Sequence, residues 1–331
     1  MAKADFIKGL IKAHIKGDNR TFRQVAMQIA ATEASAGHAN LAREIQQLVD
    51  NVPTTLGQNI GKVPPGITYN MPGTNMSGLL HASYPEERLS DMVLETKTKS
   101  SIERVLSEWK SRQLLASHGL NCRSKLMLIG PPGCGKTMAA SVLAGELSLP
   151  LFIVKLEGLI SRYLGETSVH LRSIFDSMSS TSGVYLFDEF DTIGTTRGDQ
   201  RDVGEVRRIL STFLLLLEGF SGNSMVIAAT NYDHVLDNAL FRRFDDIINF
   251  PMPDIETSKE LLKLKLHGFE KGEIDWLQIA NDAVGMSCAE ITIACTEAVK
   301  TTILMGQTKL EFNVLIEAIK QRKALRATNL A

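Results

Sequence analysis

The sequence predicts an α/β domain with helices on both faces of a parallel sheet. A helical lid follows it, and a small all-helical unit precedes it. Three observations carry this reading. Five short apolar runs, at 126–129, 151–154, 184–187, 225–229 and 247–250, are near-continuous, as expected of strands buried on both faces. Helical stretches separate most of them, which is the alternation of a doubly wound sheet. The first run leads directly into GPPGCGKT at 130–137, a strand followed by a glycine-rich loop.

The elements follow in chain order. Residues 1–50 carry three amphipathic stripes: Phe6, Ile7, Leu10, Ile11 and Ile15; Phe22, Val25, Ala26, Ile29 and Ala30; Leu41, Ile45, Leu48 and Val49. Three short helices make a marginal core, so this unit is expected to pack on a partner. Residues 51–88 lose all periodicity. They hold Pro53, Pro64, Pro65, Pro72 and Pro85, half of the ten prolines, and are expected to form a linker. Residues 89–253 hold the five strand candidates and form the α/β unit. Past Pro253 the apolar residues return to helical spacing: Leu261, Leu262, Leu264 and Leu266; Trp276, Leu277 and Ile279; Ile291, Ile293, Ala294 and Val299; Phe312, Leu315, Ile316 and Ile319. Residues 254–331 are therefore expected to form the lid.

Composition excludes several functions. With 36 basic and 37 acidic residues the net charge is −1, which offers no footing for nucleic acid or an anionic membrane. No apolar run approaches the roughly 18 residues of a membrane span. Met1 opens a lysine-containing amphipathic segment rather than a secretory signal. Four cysteines without a CxxC pair fit reduced thiols, and a cytoplasmic location is expected.

The loop at 130–137 matches G-x-x-x-x-G-K-[ST] at each fixed position. Gly130, Pro131, Pro132, Gly133, Cys134 and Gly135 supply a backbone whose N–H groups can turn inward around phosphates, where side chains would obstruct the approach. Lys136 is placed to reach the β- and γ-phosphates, and Met138 continues into the helix. The Thr137 hydroxyl suits a Mg²⁺ ion. The expected ligand is a nucleoside triphosphate. The run at 184–189 ends in Asp188 and Glu189, which puts both carboxylates at the carboxyl end of the sheet. Asp188 suits the Mg²⁺ site opposite Thr137, and Glu189 suits a general base acting on water.

The ordered set GPPGCGKT, LFDEFD at 186–191, AATN at 228–231 and ALFRRFD at 239–245 resembles the AAA+ ATPases, and within them the AAA subgroup of protein remodellers and unfoldases. The resemblance covers residues 90–325. It implies a P-loop NTPase fold, ATP with Mg²⁺ as cofactors, and assembly into a ring, most often a hexamer. It implies that Asn231 orients the lytic water and that Arg242 and Arg243 are arginine fingers reaching a neighbouring subunit's nucleotide. Members of the family usually place Pro-Gly between these arginines; this sequence does not, which leaves open which of them reaches the γ-phosphate. An exposed pair bridged to Asp245 and Asp246 is the plainer reading.

Tyr163-Leu164-Gly165 resembles the aromatic loop that grips a protein client in the pore of AAA unfoldases; a core tyrosine opening the next helix is the alternative. The turn at 197–204 fits a second pore-facing or inter-subunit loop, or a plain solvated one. Ala289 falls where many AAA+ proteins carry an arginine, which argues against a DNA-associated loader. His267 lies where the subgroup often places a histidine near the nucleotide, and a structural histidine fits equally. Cys134 would make the site thiol-sensitive if exposed. A second functional class is a nucleotide-gated regulatory ATPase that controls a partner effector, for example a protease in a bacterial defence or maintenance system, through its N-terminal helices.

Overall fold

The computed structural model describes residues 80–154, 156, 167–193, 200–231 and 241–329, with side chains from 192–207 and 326–329 left undescribed. The chain divides into two units, Met1–Gly66 and Ile67–Ala331, and every described residue belongs to the second. The N-terminal helical unit, most of the linker, the Tyr163–Gly165 loop and the side chains of the 197–204 turn lie outside the described residues.

Six strands form one sheet: β1 (Leu80–Ser83), β2 (Lys125–Ile129), β3 (Leu151–Val154), β4 (Val184–Phe187), β5 (Met225–Thr230) and β6 (Asp246–Asn249), in the order β1-β3-β4-β5-β2-β6. All five apolar runs are strands, paired in parallel. The sheet is nevertheless only mostly parallel. β1 lies within the span read as linker and pairs antiparallel with the edge of β3, Leu80 opposite Val154 and Ser83 opposite Leu151. Its alternation of buried Leu80 and Ala82 with half-buried His81 and Ser83 covers four residues, too few to stand out from a proline-rich surrounding.

The strands divide their side chains between two faces, as the pleat requires. Leu126, Leu128, Leu186 and Ile227 pack with Ile102, Val105 and Trp109 of α1 (Thr96–Lys110) and with Ala140 and Leu143 of α3 (Lys136–Leu147). The short α2 (Arg112–Ser117) follows α1. Met127, Tyr185, Phe187 and Val226 face the other way, onto Phe175 of α4 (Thr167–Ser180) and Phe213 of α5 (Gln200–Gly219). There Phe187 and Phe190 meet Phe213 with ring centroids 5.0 and 4.8 Å apart, within the range of favourable aromatic pairs.

The lid comprises α6 (Ile255–Lys265), α7 (Trp276–Asp282), α8 (Cys288–Leu304) and α9 (Phe312–Asn329). Each start is chemically marked where described. The Asp254 carboxylate accepts from Thr257 N–H at 2.7 Å, Asp275 accepts from Leu277 and Gln278, and Ser287 with Glu290 forms a reciprocal capping box. Leu262, Ile279, Ile291, Ala294, Leu315 and Ile319 form its separate core. Leu277 and Ile293, which fall within the apolar stripes, are instead exposed. Among the described residues no helix is long and apolar enough to cross a membrane.

Candidate functional site

The site begins where β2 runs out. Phe250 N–H donates to the Ile129 carbonyl at 2.7 Å, so the β6 end presses against the departing chain. A Cβ on Gly130 would sit 2.0 Å from the Phe250 carbonyl oxygen, so only glycine lets the loop leave here. Gly133 and Gly135 follow with φ of +76° and +98°, and Gly135 becomes the N-cap of α3.

Lys136, in the first turn of α3, is 7% exposed, and its ammonium is fully engaged. Nζ donates to the carbonyls of Gly130 at 2.6 Å and Pro131 at 2.9 Å, and to Asn231 Oδ1 at 2.8 Å. Burial holds its pKa below the usual lysine value, while Cys134 and the carboxylates of Asp188 and Asp191 act in the opposite direction. Beside it the Thr137 hydroxyl donates to Asp188 Oδ2 at 2.7 Å. Asp188 Oδ1 accepts the Glu189 N–H at 2.9 Å. Glu189 is exposed and has φ of +51°, a left-handed conformation that residues with a Cβ seldom adopt.

Asn231 closes β5. Its backbone N–H donates to Asp191 Oδ1 at 3.3 Å, and the Thr230 hydroxyl reaches the same oxygen at 3.4 Å. Asp191 is 7% exposed and was not singled out from the sequence. Its signal was there, as the last residue of LFDEFD, three positions beyond Asp188. The ends of β2, β4 and β5 thus bring Lys136, Thr137, Asp188, Glu189 and Asn231 to one place, the carboxyl edge where α/β sheets hold ligands. Met138 is half-buried behind them, and Pro131 and Pro132 remain at the loop surface.

Arg242 and Arg243 lie elsewhere. Both are exposed just before β6, and Arg243 is paired with Glu218 at the end of α5. The neighbouring aspartates serve other groups. Asp245 Oδ2 accepts from Ser124 and Lys125 N–H at 2.9 Å each, and Asp246 pairs with Arg123. The arginines therefore flank the amino end of β2, whereas the loop leaves from its carboxyl end. Five residues at about 3.3 Å each separate the two by some 15 Å.

The lid reaches the loop. Ala289 N–H donates to the Gly133 carbonyl at 2.9 Å, so Ala289 takes part through its backbone. A cavity beside this contact is lined by Val93, Leu94, Cys134, Pro251, Met252 and Cys288, a mainly apolar surface next to the phosphate loop. Val93, Leu94 and Met252 were not legible as site residues, because only the fold brings them to the loop. Cys134 is buried and its thiol is pushed up by that burial, so it is shielded from reagents in solution, whereas Cys288 beside it is half-buried. His267 is exposed past the end of α6 and does not line the cavity.

A parallel sheet with a glycine-rich loop after β2, a buried lysine and a hydroxyl–carboxylate pair defines a P-loop nucleoside triphosphatase. Comparison with known proteins places it more closely. Residues 126–252 match the family described as ATPase family associated with various cellular activities (AAA). The AAA family ATPase y4kL of Sinorhizobium fredii is 33% identical over 333 residues, which cover 99% of this chain and 98% of that protein. The proteasome-activating nucleotidase of Pyrococcus abyssi is 34% identical over 74% of this chain and 59% of its own length. The ATP-dependent zinc metalloprotease FtsH of Metamycoplasma arthritidis is 29% identical over 71% of this chain but only 33% of its own length. The chain belongs to the AAA family and is an ATPase.

Proposed function

We propose that this protein hydrolyses ATP with Mg²⁺ in a ring, a hexamer, and uses the cycle to remodel or unfold a protein client. The observation that carries the reading is the division of the machinery between the two ends of β2. Lys136, Thr137, Asp188, Glu189 and Asn231 gather at one end, and Arg242 and Arg243 stand at the other.

The loop backbone from Gly130 to Gly135 wraps the phosphates, and the Lys136 ammonium exchanges its carbonyl partners for phosphate oxygens. Thr137 Oγ1 and Asp188 are adjacent hard oxygen donors of the kind Mg²⁺ takes, and they would hold it, where it supplies charge neutralisation to the phosphates. Glu189 takes the proton from the attacking water, and the Asn231 side chain orients that water. The base sits against the apolar cavity at Val93, Leu94 and Met252. Arg242 or Arg243, too far from its own loop, forks onto the phosphates of the adjacent subunit, where such a group is worth on the order of 10³–10⁵ in rate. We assign the grip on the client to Tyr163, Leu164 and Gly165, the recruitment of a partner to residues 1–50, and the cytoplasm as the place of work.

One observation favours the second reading, a switch that controls a separate effector. This chain matches y4kL from end to end but spans only a third of the FtsH metalloprotease. In that reading the effector is a separate protein that the nucleotide cycle gates. ATPase rate per subunit against concentration, with mass measured alongside, tests the proposal for wild type and Glu189→Gln. Cooperative activation that tracks a ring and disappears in the variant is expected. A concentration-independent rate in a monomer would overturn the shared site.

A further inference from the structure

The phosphate loop and the first turn of α8 lie side by side. Ala289 N–H bonds to the Gly133 carbonyl, and a Cβ on Gly133 would come within 3.1 Å of the Ala289 Cβ. A cysteine stands next to each of these residues, Cys134 in the loop and Cys288 in the helix. Both line the same cavity, with Met252 Sδ 3.6 Å from Cys134 Sγ. The two cysteines thus flank one hydrogen bond between loop and helix, the neighbourhood that a disulfide needs, since it asks for Cα atoms roughly 4.4–6.8 Å apart.

We propose that Cys134 and Cys288 form a redox-modification site, where an oxidant of the peroxide class joins them and staples the lid helix to the phosphate loop. The bond would pin the lid helix against the loop that wraps the phosphates and so oppose nucleotide binding; this consequence rests on the reading of the loop as the nucleotide site. The chemistry balances. The half-buried Cys288 thiol passes two electrons to the peroxide, becomes a sulfenic acid and releases a water. The second sulfur attacks the first, and its proton leaves with the displaced hydroxyl as a second water. Two thiols and one peroxide give one disulfide and two waters.

The environment sets the tempo. Burial raises both thiols, Cys288 to about 11, so few thiolates exist near neutral pH. The pair therefore answers sustained oxidation rather than a brief pulse. Cys295 sits in the lid core, and neither it nor Cys122 lines this cavity.

The test uses the full chain, reduced or peroxide-treated, with peptide mass mapping without reductant and equilibrium binding of a fluorescent ATP analogue. The expected result is a peptide pair joining Cys134 to Cys288 and binding at least about tenfold weaker than in the reduced protein, restored by dithiothreitol. Cys288→Ala should bind equally before and after peroxide, and Cys122→Ser should still lose binding on oxidation. A disulfide mapped elsewhere, no disulfide, or a joined protein that binds as the reduced one does would overturn the proposal. A reduced protein that fails to bind the analogue would instead overturn the nucleotide reading, and the peptide pair alone then decides the thiol site.

Discussion

Replacing Gly133 with alanine tests whether the lid is seated on the phosphate loop, and the structure sets its size. Two costs arise. At φ of +76° a residue with a Cβ is strained by about 1–2 kcal/mol. The added methyl also meets Ser287 Oγ at 2.8 Å, Ala289 Cβ at 3.1 Å and Ser287 Cβ at 3.2 Å. These atoms are held by the Ala289-to-Gly133 hydrogen bond, so relief requires moving the lid, at about 1–3 kcal/mol. The sum is about 2–5 kcal/mol. Gly135→Ala is the control. Its φ is +98°, but its Cβ meets only Met92 Cε at 3.2 Å, the end of a flexible side chain, so it carries the backbone cost alone. Ser287→Gly removes two of the three clashes and as a cap change costs only a few tenths of a kcal/mol. Urea unfolding of the single and double variants should therefore show Gly133→Ala and Ser287→Gly coupled by about 1 kcal/mol or more. Additivity within about 0.5 kcal/mol, or equal losses for Gly133→Ala and Gly135→Ala, would refute the seating of the lid.

Other expectations follow from single groups. Lys136→Met should weaken nucleotide binding roughly 10- to 100-fold by equilibrium titration. Its thermal midpoint should also fall, because the carbonyls of Gly130 and Pro131 and the Asn231 side-chain oxygen all lose their shared donor. Asp245→Ala frees the Ser124 and Lys125 N–H groups at a solvent-facing position and should cost about 1 kcal/mol in urea unfolding. In alkali, the Cys295 thiol is pushed up to about 12 from 9.0 by burial, so the unfolded chain releases that proton first. Stability from this group is intact below pH 9 and falls as pH rises toward 12, and Cys295→Ala should flatten that part of the stability–pH curve.

β2 to β5 were legible because each is largely buried on both faces and so reads as an apolar run, whereas β6, at the sheet edge with Ile247 exposed, was legible only through Ile247, Ile248 and Phe250. The loop was legible because its chemistry demands glycines, a lysine and a hydroxyl at fixed spacing. β1 was not, since four residues with two half-buried positions leave no pattern against neighbouring prolines. Asp191 went unnoticed for another reason: its partners, Thr230 and Asn231, come from a different strand, and no local spacing announces them. The cavity at Val93, Leu94, Met252 and Cys288 is likewise assembled from three separate segments. The outward turn of Leu277 and Ile293 shows the limit of counting apolar residues, because a stripe is wider than the face it buries.

The parallel pairing of β2 with β6 also has an arithmetical consequence. In the proposed assembly each subunit would offer a receiving end and a giving end, and the strand between them would keep the two from meeting within one chain. A row of subunits with free ends then has one fewer completed site than it has members. Lengthening the row raises activity per subunit by ever smaller steps. Joining its ends adds the last site without adding a subunit.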